Sequence, residues 1–176
     1  MKKRESVYFL GIGGIGMSAL ARYFKAKGFD VAGYDRTSTL LTKELETEGI
    51  SIHYNDDVAL IPELYKDPQN TMVVYTPAVP ADMSELVWFR EHKFNVCKRS
   101  QALGEVTRMQ QAICVSGTHG KTTTSTMIAH LLHNSSVKCN AFLGGISKNF
   151  GRNLLLSNES DLVVIEADEY DRSFFT

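Results

Sequence analysis

Apolar residues fall along this chain in two rhythms. Short solid runs, such as residues 6–10 and 71–75, have the length and the β-branched or aromatic content of buried strands. Between them, apolar residues recur at three- and four-residue spacing, the period of a helix with one face on a core. The alternation predicts strands over 6–10, 30–34, 50–54, 71–75 and 95–98, with helices over 17–27, 40–48, 83–92 and 100–108. In the first helix Leu20, Ala21 and Phe24 share a face, and Gly28 stands where a helix stops. Residues 57–65 read as a short helix interrupted at Pro62. Thr76, Pro77, Ala78, Val79 and Pro80 form a stiff loop at a strand's carboxyl end, the edge where open α/β sheets bind ligands.

The rhythm resumes beyond Arg108. Residues 112–115 predict a strand, 125–133 a helix, 141–145 a weak strand, 146–153 a loop and 161–165 a buried parallel strand. Strand and helix alternate throughout, so the fold class is α/β. The expected division is a parallel-sheet domain over 1–108 followed by an incomplete second α/β domain over 109–176. No internal repeat or low-complexity segment appears.

Composition changes this picture little. The 176 residues are 43% apolar, enough for a real core, and the formal net charge of −1 offers no basic field for nucleic acid. No apolar run approaches the ~20 residues that span a bilayer. The charged start is followed by an apolar run too short for a signal peptide, so a cytoplasmic protein is expected. Cys97, Cys114 and Cys139 are odd in number and widely spaced, which suggests neither a disulfide framework nor a zinc site. The last residues follow an acidic cluster without a closing helix, as in a fragment of something longer.

Two glycine-rich loops carry the chemistry. The first, Gly11, Gly13, Gly14 and Gly16, follows a strand and opens a helix, and Asp35 ends the next strand. This is the dinucleotide fingerprint: a tight turn, a close backbone approach to a diphosphate, and a close helix–strand contact. Asp35 is placed to accept from a ribose or base. The motif alone does not separate NAD from another nucleotide diphosphate. An NAD-binding module therefore stays open, as does a P-loop kinase.

The second loop is Gly117, Thr118, His119, Gly120, Lys121, Thr122 and Thr123, between a strand and a helix. Its backbone N–H groups suit phosphates, Lys121 the terminal phosphates and the Thr122 hydroxyl Mg²⁺. The generic phosphate loop would have glycine at Val115; here it stands at Gly117, a shorter and narrower signature. Downstream, Glu166 ends an apolar strand, as the Mg²⁺-holding acid of a nucleotide triphosphatase does. His119 fits either a ligand contact or a loop-fixing role. His130 and His133 read as surface or packing residues, and His53 carries no motif.

The residues 11–18, 117–123 and 166–171 together resemble the Mur ligases of peptidoglycan synthesis, and the resemblance covers the whole chain. It implies a Rossmann-like UDP-sugar domain followed by a P-loop ATP domain. Within the family, the shorter N-terminal glycine loop of the murein tripeptide recycling branch favours the alanine-adding branch. The implied substrates are UDP-N-acetylmuramate, L-alanine and ATP with Mg²⁺, joined through an acyl phosphate.

By the same resemblance, Lys121 would neutralise the β- and γ-phosphates, and Thr122 and Glu166 would ligate Mg²⁺. Gly117, Thr118, Gly120 and Thr123 would donate N–H groups to phosphate. His119 would touch a metal shell or the substrate carboxylate. Gly11, Gly13, Gly14, Ile15, Gly16 and Met17 would hold the UDP diphosphate, with Asp35 and Thr37 near ribose or uracil. Thr76, Pro77 and Ala78 would line the cleft, and Arg99 and Asn153 are further candidates. Asp168, Glu169 and Asp171 look functional without individual roles.

Overall fold

The structure, a computed structural model, describes residues 6–108 and 110–167. The chain divides into two compact units, Met1–Arg99 and Ser100–Thr176. In the first, strands β1 (Ser6–Leu10), β2 (Asp30–Tyr34), β3 (Ser51–His53), β4 (Thr71–Tyr75) and β5 (Asn95–Lys98) form one parallel sheet in the order β3-β2-β1-β4-β5. That is the Rossmann strand order, with its switch point between β1 and β4. Val7, Tyr8, Phe9 and Leu10 of the central strand are all fully buried, as expected for a parallel strand covered on both faces. Each such side chain contributes roughly 1.5–3 kcal/mol on burial.

Helices α1 (Ile15–Ala26), α2 (Leu40–Thr47) and α3 (Ser84–Glu91) connect these strands. Helix α1 starts at Ile15, before the expected residue 17, so Gly16 and Met17 lie in its first turn. The stretch 57–65 is two 3₁₀ turns, Val58–Leu60 and Glu63–Tyr65, and no α-helix. Ile61 is held extended before Pro62, which separates them.

In the second unit, β6 (Gln111–Val115), β7 (Asn140–Phe142), β8 (Leu154–Leu155) and β9 (Leu162–Glu166) pair in the order β6-β9-β7-β8. Strands β6, β9 and β7 are parallel, and β8 runs antiparallel to β7. Strand β7 ends at Phe142 and not at Gly145, and the sequence pattern did not predict the short β8. Helix α4 (Arg99–Arg108) counts with this unit from Ser100 onward, so the division falls after its first residue and not near Arg108. Strand β5 runs straight into α4, leaving no break in the sequence to mark the change. Helix α5 (Lys121–His133) starts four residues before the expected 125. Its first turn is rich in β-branched threonine, a weak helix former, which hid the start.

Three helices end alike. After α1, Gly28 N–H donates to Lys25 O and Phe29 N–H to Phe24 O; after α2, Gly49 and Ile50 repeat the pattern with Glu46 and Leu45. After α3, Lys93 N–H donates to Arg90 O and Phe94 N–H to Phe89 O. This is the Schellman motif, whose apolar contact here is Phe24 on Phe29 and Phe89 on Phe94. Its left-handed position is glycine in the first two cases, at φ 84° and 81°, but Lys93 at φ 59° in the third. Left-handed backbone costs an L-residue about 1–2 kcal/mol, part of which glycine's extra unfolded-state entropy cancels. Lys93→Gly is therefore expected to stabilise the chain by roughly 0.5–1 kcal/mol in urea denaturation. A loss of stability would show that Lys93 is not strained.

Candidate functional site

In the first unit, an open cleft of about 470 Å³ lies beyond the carboxyl ends of the strands, at the switch point. Gly11 and Gly14 follow β1, Asp35 and Thr37 follow β2, and Thr76 and Ala78 follow β4; all six line it. Gly13, Ile15, Gly16, Met17, Pro77 and Arg99 lie outside its wall. Met17 is buried in the core, so only its backbone can meet a ligand. Arg99 packs over Gly16, where an added Cβ would lie 3.0 Å from a guanidinium nitrogen.

Asp35 is engaged within the protein. Its Oδ2 accepts the Gly13 N–H at 2.7 Å and its Oδ1 the Thr37 N–H at 3.0 Å. A Cβ on Gly13 would fall 2.8 Å from that carboxylate and 2.7 Å from Thr42 Cγ2, so glycine is required by close approach. The second glycine of the fingerprint thus gives its N–H to Asp35 in this structure, and the carboxylate keeps its remaining lone pairs for a ligand.

Sequence reading missed Arg36, Asp56, Asp82 and Met83, which also line the cleft. The carboxylate of Asp56 accepts the N–H groups of Ser84 at 2.8 Å and Glu85 at 3.1 Å, so it caps α3 from a distant loop. No local signal marks a cap supplied from so far along the chain.

Beneath this wall lies a polar cluster. The Tyr8 hydroxyl is 2.6 Å from His53 Nε2 and 3.0 Å from Glu85 Oε2, and His53 Nδ1 is 2.9 Å from the Asn55 carbonyl. Tyr8 and Glu85 are completely buried. His53, which carried no motif, is thus part of the core network. The Asn55 carbonyl can only accept, so Nδ1 holds a proton. The Tyr8 hydroxyl donates its single proton to Glu85 Oε2.

Burial opposes charge on both His53 and Glu85. Burial pushes the Glu85 carboxyl up to about 8; the Tyr8 contact opposes this and Asp56 adds to it. Burial pulls the His53 imidazole below its ordinary value, against the Asn55 contact.

In the second unit, the parallel register sets Val115 opposite Glu166, so β6 enters its loop beside that carboxylate. Gly120 adopts φ 77° as the N-cap of α5, and a Cβ there would meet no atom within 4 Å. Backbone conformation, not packing, requires this glycine. Lys121 Nζ donates to the Gly117 carbonyl at 2.7 Å, folding the lysine back across the loop. Thr118, His119 and Thr123 are exposed.

The Thr122 hydroxyl donates to Glu166 Oε2 at 3.0 Å. Glu166 Oε1 accepts from Ser125 Oγ at 2.9 Å and from Gly144 N–H at 2.8 Å, neither of which the sequence pattern singled out. No group of three His, Cys, Asp or Glu gathers among the described residues. A hydroxyl and a carboxylate oxygen 3.0 Å apart nonetheless fit Mg²⁺, a hard cation. It takes one or two protein oxygens at about 2.0–2.1 Å in an octahedron and fills the rest with water and phosphate. Asp168, Glu169 and Asp171 lie outside the described residues.

The family model described as Mur ligase family, catalytic domain, matches residues 6–111. A UDP-N-acetylmuramate–L-alanine ligase of Porphyromonas gingivalis is 62% identical over 170 residues, covering 97% of this chain and 37% of the relative. A ligase of the same name from Parabacteroides distasonis is 62% identical over 174 residues, 99% of this chain and 38% of the relative. The chain thus spans well under half the length of these curated relatives. Among solved structures, a UDP-N-acetylmuramate–alanine ligase from Thermotoga maritima matches with TM-score 0.77 at 31% identity, over 92% of this chain and 37% of that one. A UDP-N-acetylmuramate:L-alanyl-γ-D-glutamyl-meso-diaminopimelate ligase from Neisseria meningitides matches with TM-score 0.85 at 30% identity, over 97% and 55%.

The buried cluster yields a signed prediction. The ordinary glutamate value is 4.5 and the folded value about 8, so between them the folded state holds more protons and stability falls as pH rises. His53, with its folded value depressed, works oppositely but only below its ordinary 6.5. Urea midpoints should therefore fall from pH 6.5 to about 8 and then level. Glu85→Gln, which keeps a neutral donor in place, should remove most of that slope. Equal slopes in both proteins would contradict a neutral Glu85.

Proposed function

The chain belongs to the Mur ligase family, and on that premise we propose that it is part of an ATP-dependent UDP-N-acetylmuramate–L-alanine ligase of cytoplasmic peptidoglycan precursor synthesis. The observation that carries this reading is the 62% identity to curated ligases of that name across 97% of the chain, both glycine loops included. The likeness to the diaminopimelate-peptide ligase is at 30% identity and supports the shared fold without favouring that substrate.

In this reading the UDP-sugar occupies the first cleft. Backbone groups at Gly11, Gly14, Thr76 and Ala78 approach it, and Asp35 and Thr37 meet the ribose or base. The first-turn amides of α1, at Gly16 and Met17, attract the diphosphate together with Arg99. Gly13 and Ile15 serve by shaping the loop, and Pro77 by stiffening the loop after β4.

ATP occupies the second site. The amides of Gly117, Thr118, Gly120 and Thr123 face its phosphates, and Lys121 leaves the Gly117 carbonyl to neutralise them. Thr122 and Glu166 hold Mg²⁺, which when bound neutralises developing phosphate charge. The lactyl carboxylate attacks the γ-phosphorus, breaking its bond to the β-bridging oxygen and releasing ADP; the product is an acyl phosphate. The amine of L-alanine attacks the acyl carbon, and inorganic phosphate leaves as the amide forms and the nitrogen loses a proton. His119, exposed in the loop, would meet the substrate carboxylate or the metal shell. Positioning and charge neutralisation supply the catalysis, because phosphorylation itself provides the leaving group.

Calorimetric titration of this chain with UDP-N-acetylmuramate should show saturable binding, and NADH should show none. Lys121→Ala should leave the UDP-sugar affinity within about twofold, since that residue belongs to the other loop. Binding of NADH in place of the UDP-sugar would return Gly11, Gly13, Gly16 and Asp35 to a redox-cofactor role and overturn the ligase reading.

A further inference from the structure

We propose that Ser125 and Gly144 are positioning residues that lock one oxygen of Glu166, so that its other oxygen, with the Thr122 hydroxyl, is the face offered to a divalent cation. The inference rests on the reading of the second loop as an ATP site.

Glu166 ends β9, and its side chain could take several rotamers there. Two groups from different elements remove that freedom. Ser125 sits three residues after Thr122 on α5, so helical spacing turns both hydroxyls to the same face. Ser125 is completely buried and has one proton, with two acceptors in reach: Thr122 O at 3.1 Å and Glu166 Oε1 at 2.9 Å. The nearer acceptor is also the charged one, and charge-assisted hydrogen bonds are the stronger.

Gly144, just beyond β7, donates its N–H to the same Oε1 at 2.8 Å. A Cβ at Gly144 would overlap the carboxylate, so no other residue allows this approach. Oε1 is therefore held from two sides. Among the described residues, Oε2 accepts one hydrogen bond, from the Thr122 hydroxyl at 3.0 Å, and that oxygen retains lone pairs. The asymmetry means that a cation can reach Oε2 and Thr122 without breaking either bond to Oε1. Ser125 and Gly144 touch neither nucleotide nor metal in this scheme; they act through Glu166.

The test uses the 176-residue chain and Mn²⁺ as a spectroscopic substitute for Mg²⁺. In nuclear magnetic resonance spectra of the metal-free chain, the Gly144 amide proton should shift upfield in Glu166→Gln and should move in Ser125→Ala. With ATP present, electron paramagnetic resonance of free Mn²⁺ should show about tenfold weaker Mn²⁺ uptake by Ser125→Ala, and metal-free ATP affinity should be unchanged. Ser125→Thr, which keeps the hydroxyl, should recover most of the uptake. An unmoved Gly144 amide in both variants, or wild-type Mn²⁺ uptake by Ser125→Ala, would overturn the proposal. If Ser125→Ala does not fold, the Gly144 amide in Glu166→Gln against the wild type decides it. Failure of the wild-type chain itself to take up Mn²⁺ with ATP would instead overturn the reading of the loop, and the inference with it.

Discussion

The hydrogen bonds that pair β6 with β9 in parallel, with Val115 opposite Glu166, set the geometry of the second site before any side chain acts. Parallel strands end at one edge, so the loop leaving β6 and the carboxylate ending β9 meet there. The first unit obeys the same constraint. Leu10 lies opposite both Tyr34 and Tyr75, and the residues just after these three positions form the cleft wall. A one-residue slip in either sheet would turn the inward side chains outward and move the strand ends apart.

At those strand ends, backbone amides manage the negative charge. Asp35 takes two N–H groups, Asp56 takes two at the start of α3, and Glu166 takes one together with two hydroxyls. Hydrogen bonds to a charged acceptor are stronger than neutral ones, so each carboxylate stiffens the loop that faces it. Two of the three acids that line the first cleft beside Arg36, Asp35 and Asp56, are held in this way. Glu85 shows the other outcome. Fully buried against Tyr8 and His53, its carboxyl is pushed up to about 8 by burial.

Local pattern was most informative where one element answers to one physical rule. Strands 6–10 and 71–75 were legible to the residue because buried parallel strands are solid apolar runs bounded by turns, and the bounds of 30–34 and 95–98 agree as well. Both glycine loops were legible because their turns between strand and helix need glycine at set positions, as at Gly11 and Gly120 with positive φ. Helix starts were less so. Residues 121–124 are threonine-rich and poor helix formers, yet the loop geometry makes them the first turn of α5. The division after Arg99 was hidden because β5 passes into α4 without an intervening loop.

From its sequence alone this chain is an α/β protein with two glycine-rich loops, each between a strand and a helix, and an acid at the end of a buried strand. Those features are local, and residue type with spacing suffices to specify them. Only the tertiary structure decided which groups those features meet. It gave Asp35 to Gly13 and Thr37, brought Asp56 to the start of α3, enclosed His53 with Tyr8 and Glu85, and set Ser125 and Gly144 on Glu166. Each of these contacts except Asp35–Thr37 joins residues far apart in the chain, so strand register and helix packing determine them, and no local pattern carries that information.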